Sequence, residues 1–268
     1  MADIVLITGA SQGSGKATAL LFARHGYDVI LAARQAEPLE RVAAAVRAEN
    51  RQALAVPTDT SDAQQVEVLI QTALDRFGRV DVLVNNAGFY LSGLMKDTPL
   101  ADWHRLMDTN FWGYVHTIQG LLPQFLARGS GSIVNVGSFG STTPLPEMTA
   151  YYASKYAVTG MTDTLRLELA PKGIQVCAVH PGMMNSNLLE LATFPDLDTA
   201  QAQERHQQIQ EMLKANWVSQ PEDVAEAIWS AVREDTAETI VGQQMTGIEA
   251  LQLAALFDLP AHKLLTYF

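Results

Sequence analysis

Between residues 4 and 179 the chain alternates six times between a short apolar run and a longer stretch of helical period, with no linker or shift of composition between units. Residues 4–7 form a β-branched run that stops at Thr8-Gly9, as expected of a strand buried on both faces. Ala17, Leu20, Leu21 and Arg24 then keep helical spacing up to Gly26. A second strand spans 28–33, and Pro38 opens a helix whose apolar stripe is Leu39, Val42, Ala43 and Val46. A third strand covers 53–56. Ser61 followed by Gln64 reads as a capping box for the helix of Val66, Leu69, Ile70, Ala73, Leu74 and Phe77, which Gly78 stops. Strands at 80–84, 132–136 and 174–179 complete the series, with a long helical region at about 100–127 and another helix around Tyr151. Repeated units of this kind predict an α/β fold: one parallel, doubly wound sheet with helices on both faces.

The alternation then ends. Residues 186–217 are Gln-rich and mostly polar after an apolar start, too long and too polar for core, so they are expected to form a mobile lid. Ser219 and Glu222 suggest a second capping box before a helix with Val224, Ala227, Ile228, Ala231 and Val232 inward. Residues 239–241 can add a last strand, and a short helix is expected at 249–257, in the tail that runs to 268.

Composition excludes several classes of function. Eighteen basic against twenty-nine acidic residues give a formal charge of −11, which argues against nucleic acid as a partner and more weakly against acidic carriers or anionic membranes. No apolar run approaches the ~20 residues of a membrane span, and the start lacks the basic region of a signal peptide. The single cysteine, Cys177, lies in an apolar run and is expected to be inert core. No Cys/His spacing suits a metal, so no metal is expected. A cytoplasmic setting fits this pattern.

Thr8-Gly9-Ala10-Ser11-Gln12-Gly13-Ser14-Gly15 sits between the first strand and first helix. Glycines there let backbone approach a pyrophosphate, and the helix N-terminus offers free N–H groups. Thr8 and Ser11 are expected to add hydroxyl donors. The spacing fits neither a P-loop nor the G-x-G-x-x-G form. After the second strand comes Arg34, where a carboxylate would select NAD, so NADP(H) is expected over NAD(H). Asp59, followed by Thr60, stands after the third strand, where it would bind the adenine amino group or simply start a helix.

Tyr151 and Lys155 are i,i+4 neighbours on the predicted helix, and an ammonium beside a phenol is expected to lower the phenol's pKa. A tyrosine tuned in this way can transfer a proton near neutral pH. Taken with Thr8-Gly9-x-x-x-Gly13-x-Gly15, Asn85-Asn86-Ala87-Gly88, Asn110, Ser138 thirteen residues before Tyr151, and Pro181-Gly182, the chain resembles the short-chain dehydrogenase/reductase family over about residues 3–186. It departs from the family pattern at Ser14, where an aliphatic residue is usual and looser helix packing is expected, and at Ser186.

The resemblance implies a Rossmann-like sheet in a single domain with a helical lid, and a division of labour among the matched residues. Tyr151 is the general acid/base, Lys155 lowers its pKa and holds the nicotinamide ribose, Ser138 bonds the carbonyl oxygen, and Asn110 holds a water that links Lys155 to solvent. Gly9, Ser11, Gln12, Gly13, Ser14 and Gly15 would line the pyrophosphate. Asn86, Ala87 and Gly88 would line the adenine ribose. Pro181, Gly182, Met184 and Ser186 would run past the nicotinamide. The serine offset selects Tyr151 over the adjacent Tyr152. The family also implies a homodimer or homotetramer.

Segments after strand ends offer Phe89, Tyr90, Phe139, Gly140, Leu145, Met148, Met183 and Leu188 around a substrate, with no cationic cluster among them. A small apolar or weakly polar carbonyl or secondary alcohol is therefore expected. The alternatives are a non-catalytic cofactor-binding regulator with the same fold, and an epimerase or dehydratase using the same tyrosine.

Overall fold

The computed structural model describes residues 2–139, 147–185, 194, 198–214 and 218–242. Seven strands form one sheet in the order β3-β2-β1-β4-β5-β6-β7. They are β1 (Ile4–Thr8), β2 (Asp28–Ala33), β3 (Ala53–Pro57), β4 (Val82–Asn85), β5 (Gly131–Val136), β6 (Ile174–Pro181) and β7 (Glu238–Val241), and every pairing is parallel. A parallel sheet needs a crossover after each strand. These are α1 (Gly13–Arg24), α2 (Ala36–Ala48), α3 (Ala63–Phe77), α4 (Leu100–Met107) with α5 (Gly113–Arg128), α6 (Thr149–Leu169), and α8 (Pro221–Glu234) preceded by α7 (Thr199–Met212). None of the described helices is long and apolar enough to cross a membrane.

Alternate residues of each strand feed opposite faces, as the two-residue period demands. Val5 and Ile7 pack with Phe22, Leu39, Val42, Val224 and Ile228 under α1, α2 and α8. Ile4 and Leu6 pack with Val66, Leu69, Ile118, Leu121 and Phe125 under α3 and α5. Each fully buried aliphatic side chain contributes about 2 kcal/mol. On the α5 face of the sheet runs a line of buried polar bonds. Thr117 Oγ1 donates to Asn85 Oδ1 (2.6 Å), Asn85 Nδ2 to Asn135 Oδ1 (3.0 Å) and Asn135 Nδ2 to Thr162 Oγ1 (2.9 Å). Each link is satisfied, so the line ties α5, β4, β5 and α6 into one register.

Three local expectations are corrected. The caps of α3 and α8 lie one residue beyond those read from the sequence. Asp62, not Ser61, accepts from Gln64 N and Gln65 N, and Gln220 N donates to Asp223 rather than Ser219 pairing with Glu222. The long helix is not continuous: Asp108–Trp112 opens into a wider π turn that carries Asn110. Part of the expected polar lid is the α7 helix, capped by Asp198 and Gln201, with Ile209 and Leu213 buried beneath it. The expected tail helix lies outside the described residues.

Candidate active site

The strand order reverses between β1 and β4, and the turns after these two strands flank that crevice, where ligands of open α/β sheets bind. The turn after β1 is locked by hydrogen bonds to the turn after β4. Asn86 N and Ala87 N both donate to Thr8 Oγ1 (3.0 Å each), and Asn86 Nδ2 donates to the Thr8 carbonyl (3.0 Å). Thr8 is buried, and its hydroxyl, which also donates to Val84 O (3.5 Å), serves the scaffold and not, as expected, the ligand. Ser14 Oγ donates to Asn86 Oδ1 (2.7 Å), so this departure from the family pattern anchors the helix start and does not loosen it. Gly9 has φ +66°, and a Cβ there would lie 2.9 Å from Ala87 Cα; a Cβ on Gly15 would strike the Gly9 carbonyl. This leaves a close-walled backbone cradle below an α1 N-terminus that no side chain caps, with Gln12 at the N-cap position, Gly13 at N1 and Ser11 half-buried beside them. Such a cradle fits a pyrophosphate.

Arg34 follows β2, exposed, and makes no ion pair among the described residues. Asp59 Oδ1 accepts from Ser61 N (3.0 Å) and Ser61 Oγ (2.7 Å), which is the helix-start role. Thr60 is buried, its hydroxyl facing Gly113 of α5. Pro181 is buried at the end of β6, and Gly182 N donates to Val241 O (2.9 Å). Met184 pairs with Ser219 and packs toward the α8 side, whereas Met183 packs into the cluster around Tyr151. Ser186, Gly140, Leu145 and Leu188 lie outside the described residues.

Tyr151, on the first turn of α6, is buried, and its hydroxyl is hydrogen-bonded to Ser138 in the turn after β5. Burial pushes the phenol pKa up, and the bond to Ser138 offsets part of that rise. Tyr152 is pushed further, by burial and by Tyr90, Tyr151 and Tyr156 around it. Lys155, one turn on and only 5% exposed, donates from Nζ to the Val136 carbonyl (3.0 Å), which also accepts from Tyr114 (3.0 Å). Burial lowers the Lys155 pKa to about 8. The expected drop of the Tyr151 pKa beside Lys155 is therefore not found. Both groups are desolvated, and the ammonium is directed to a backbone carbonyl instead of the phenol.

Asn110 lies in the π turn, fully buried, and its amide clamps Phe89: Phe89 N donates to Oδ1 and Nδ2 donates to Phe89 O, both at 3.0 Å. Nδ2 also reaches Ser154 Oγ (3.2 Å), which in turn donates to the Tyr151 carbonyl (2.6 Å). Ser154 was not singled out in the sequence, because a serine inside a helix carries no signal of its own. Gly88 backs onto this group: a Cβ there would lie 3.1 Å from Asn110 Oδ1 and 3.7 Å from Lys155 Nζ.

Of the expected substrate residues, Phe89, Tyr90, Met148 and Met183 join Tyr151 in one apolar cluster, and Phe139 stands half-buried beside Ser138. Trp103 and Leu106 from α4, with Ile209 from α7 and Leu213 just after it, also join that cluster without having been foreseen. At its edge Arg205 of α7 pairs with Glu147 (3.1 Å), both sides largely buried, with Glu147 held at φ +61°.

Residues 3–193 match the family described as "short chain dehydrogenase". The chain belongs to the short-chain dehydrogenase family. Among its relatives, a sulfoacetaldehyde reductase of Chromohalobacter salexigens is 38% identical over 231 residues, spanning 85% of this chain and 88% of that protein. A 3-oxoacyl-[acyl-carrier-protein] reductase of Synechocystis is 37% identical over 190 residues, 70% of this chain and 77% of the other. Two solved short-chain dehydrogenases superpose on the chain. One from Sphingobium yanoikuyae in complex with NADPH has TM-score 0.76 and 28% identity, covering 89% and 87% of the two chains. One from Burkholderia phymatum in complex with NAD has TM-score 0.81 and 26% identity, covering 96% and 92%. The Rossmann-like sheet and the family assignment thus agree.

Proposed function

We propose that this short-chain dehydrogenase is an NADP(H)-dependent carbonyl reductase and alcohol dehydrogenase for a small, apolar or weakly polar substrate. The observation that carries the reading is the Ser138–Tyr151 hydrogen bond inside a buried apolar cluster, with Lys155 one helical turn away. A bound nicotinamide would supply or accept the hydride. Ser138 holds the carbonyl oxygen where negative charge gathers. Tyr151, whose raised pKa keeps it protonated at neutral pH, donates its proton to that oxygen. Lys155 keeps ammonium hydrogens beyond the one given to Val136 and can use them on a ribose hydroxyl. Asn110 fixes Phe89 and, through Ser154, the first turn of α6.

The sign of the tyrosine shift sets direction against pH. A phenol pushed up serves as acid at pH 7, so carbonyl reduction runs at neutral pH and declines at high pH. Alcohol oxidation, which needs the phenolate, increases as pH rises toward the phenol's pKa.

The exposed Arg34, without an ion pair among the described residues, supports NADP(H), since a guanidinium suits a 2′-phosphate. A neutral substrate is supported because Arg205 beside the cluster is paired with Glu147 (3.1 Å) and the Arg105 guanidinium lies over the Phe89 ring. NADPH and NADH oxidation over a panel of aldehydes and ketones tests the proposal. Consumption of NADPH by neutral carbonyls, lost in Tyr151→Phe, is the expected result. Binding of NADPH with no turnover on any carbonyl would point to a cofactor-binding regulator, and turnover without net cofactor consumption to an epimerase.

A further inference from the structure

His180 is the one histidine in the body of the sheet, and the chemistry above leaves it unused. It sits on β6, one residue before Pro181, and its side chain is 1% exposed. The ring lies against the turn that presents Ser138. Gly137 N donates to Val179 O (2.8 Å), which carries the β5–β6 ladder one residue past β5. A Cβ on Gly137 would lie 2.5 Å from His180 Nδ1 and 2.7 Å from Cε1, so the imidazole occupies the volume that any side chain at 137 would need. On its other edge, Nε2 lies 3.2 Å from Glu238 Oε1 of β7. Neither ring nitrogen completes a hydrogen bond of good geometry, yet the Ser138 backbone and the Glu238 carboxylate both act on the ring's charge. A buried polar ring in that condition calls for a reason beyond packing.

We propose that His180 is a positioning residue for Ser138: its buried imidazole fills the space opposite Gly137 and so sets where the Ser138 hydroxyl meets Tyr151. His180 directly precedes Pro181-Gly182 while its ring abuts Gly137, so it couples the place of the serine turn to that of the Pro181-Gly182 segment. The charged groups acting on it are Glu238 from β7 and Lys155 and Asp163 from α6. The two carboxylates favour a proton on the ring, while burial and Lys155 oppose it, and the ring is neutral at pH 7. Protonation at lower pH would put a second cation beside Lys155 and strengthen the pull of both Glu238 and the Ser138 backbone on the ring, changing the contact that sets the serine turn.

The inference rests on Ser138 acting as the carbonyl-oxygen donor, so Ser138→Ala is measured alongside wild type. A Ser138→Ala variant as active as wild type would overturn that catalytic reading itself. With Ser138→Ala defective, His180→Ala should lower kcat on the order of tenfold, because a misplacement of about 1 Å is enough for such losses. NADPH affinity, followed by its fluorescence, should stay within about twofold, the loss falling on positioning and not on binding. Gly137→Ala should be similarly impaired alone, and combining it with His180→Ala should restore kcat, since the new methyl group fills the space the ring has left.

Glu238→Gln alters only a half-exposed partner and keeps the fold even if His180→Ala does not. It removes a carboxylate that favours protonation, so the acidic limb of the kcat profile should move to lower pH. The positioning role is overturned by wild-type kcat in His180→Ala, by a double variant no better than the worse single one, or by an acidic limb unmoved in Glu238→Gln.

Discussion

The two sides of the crevice are built by different means. On the nucleotide side, Thr8, Ser14, Asn86 and Ala87 are joined by hydrogen bonds of 2.7–3.0 Å between two adjacent turns, and little there can shift independently. On the substrate side, Tyr90, Trp103, Leu106, Met148, Ile209 and Leu213 come from four separated stretches of chain and meet mainly through apolar contact. Directional bonds fix one ligand shape, and dispersion contacts tolerate exchange of residues of similar volume. A side held by the first and a side held by the second can therefore keep one cofactor while substrate preference drifts.

The largest expected effect lies where the two sides meet. Tyr151→Phe should lower kcat about 10³-fold, while Tyr152→Phe keeps most activity; equal losses in steady-state assays would erase the distinction between the two tyrosines. Next, Gly15→Ala should weaken NADPH binding by about 2 kcal/mol, the usual cost of forcing a methyl into a closed site, because its Cβ meets the Gly9 carbonyl. A fluorescence titration showing unchanged affinity would mean that the nucleotide side yields as readily as the other.

Arg34→Ala should reduce the preference for NADPH over NADH by about tenfold, near the lower end for a charge-assisted bond, read as the ratio of kcat/KM values. The smallest effect on activity belongs to the substrate side. Arg205→Leu leaves a largely buried Glu147 without that partner and should lower stability by about 3 kcal/mol while sparing turnover. Its KM for a neutral ketone should change less than threefold. A much larger KM change would make that ion pair part of substrate recognition.

The same contrast explains what could be read in the sequence. The cradle and the strand ends are local in the chain, so glycine spacing and short apolar runs announce them. Tyr151 and Lys155 stand out by their i,i+4 spacing, whereas Ser138 is singled out only by the family resemblance. Ile209 and Leu213 escaped notice because two apolar residues among glutamines give no helical stripe, and only the docking of α7 shows what they cover. The caps at Asp62 and Gln220 were read one residue early, since neighbouring polar residues satisfy the same three-residue pattern and only backbone geometry separates them. The raised Tyr151 pKa was missed because the i,i+4 argument assumes a hydrated helix surface, and here both side chains are buried.

The π turn at Asp108–Trp112 has one more implication. One extra residue in a helical turn rotates everything after it by about 100° relative to a regular helix. Before the turn, Trp103 and Leu106 face the apolar cluster around Tyr151; after it, Ile118, Leu121 and Phe125 face the sheet. A single-residue deletion there would heal the hydrogen-bond ladder and yet misalign α4 or α5 with its own neighbours. The chain thus keeps, in one added residue, a phase change that lets a single rod serve two surfaces, and the residue at the phase change is Asn110.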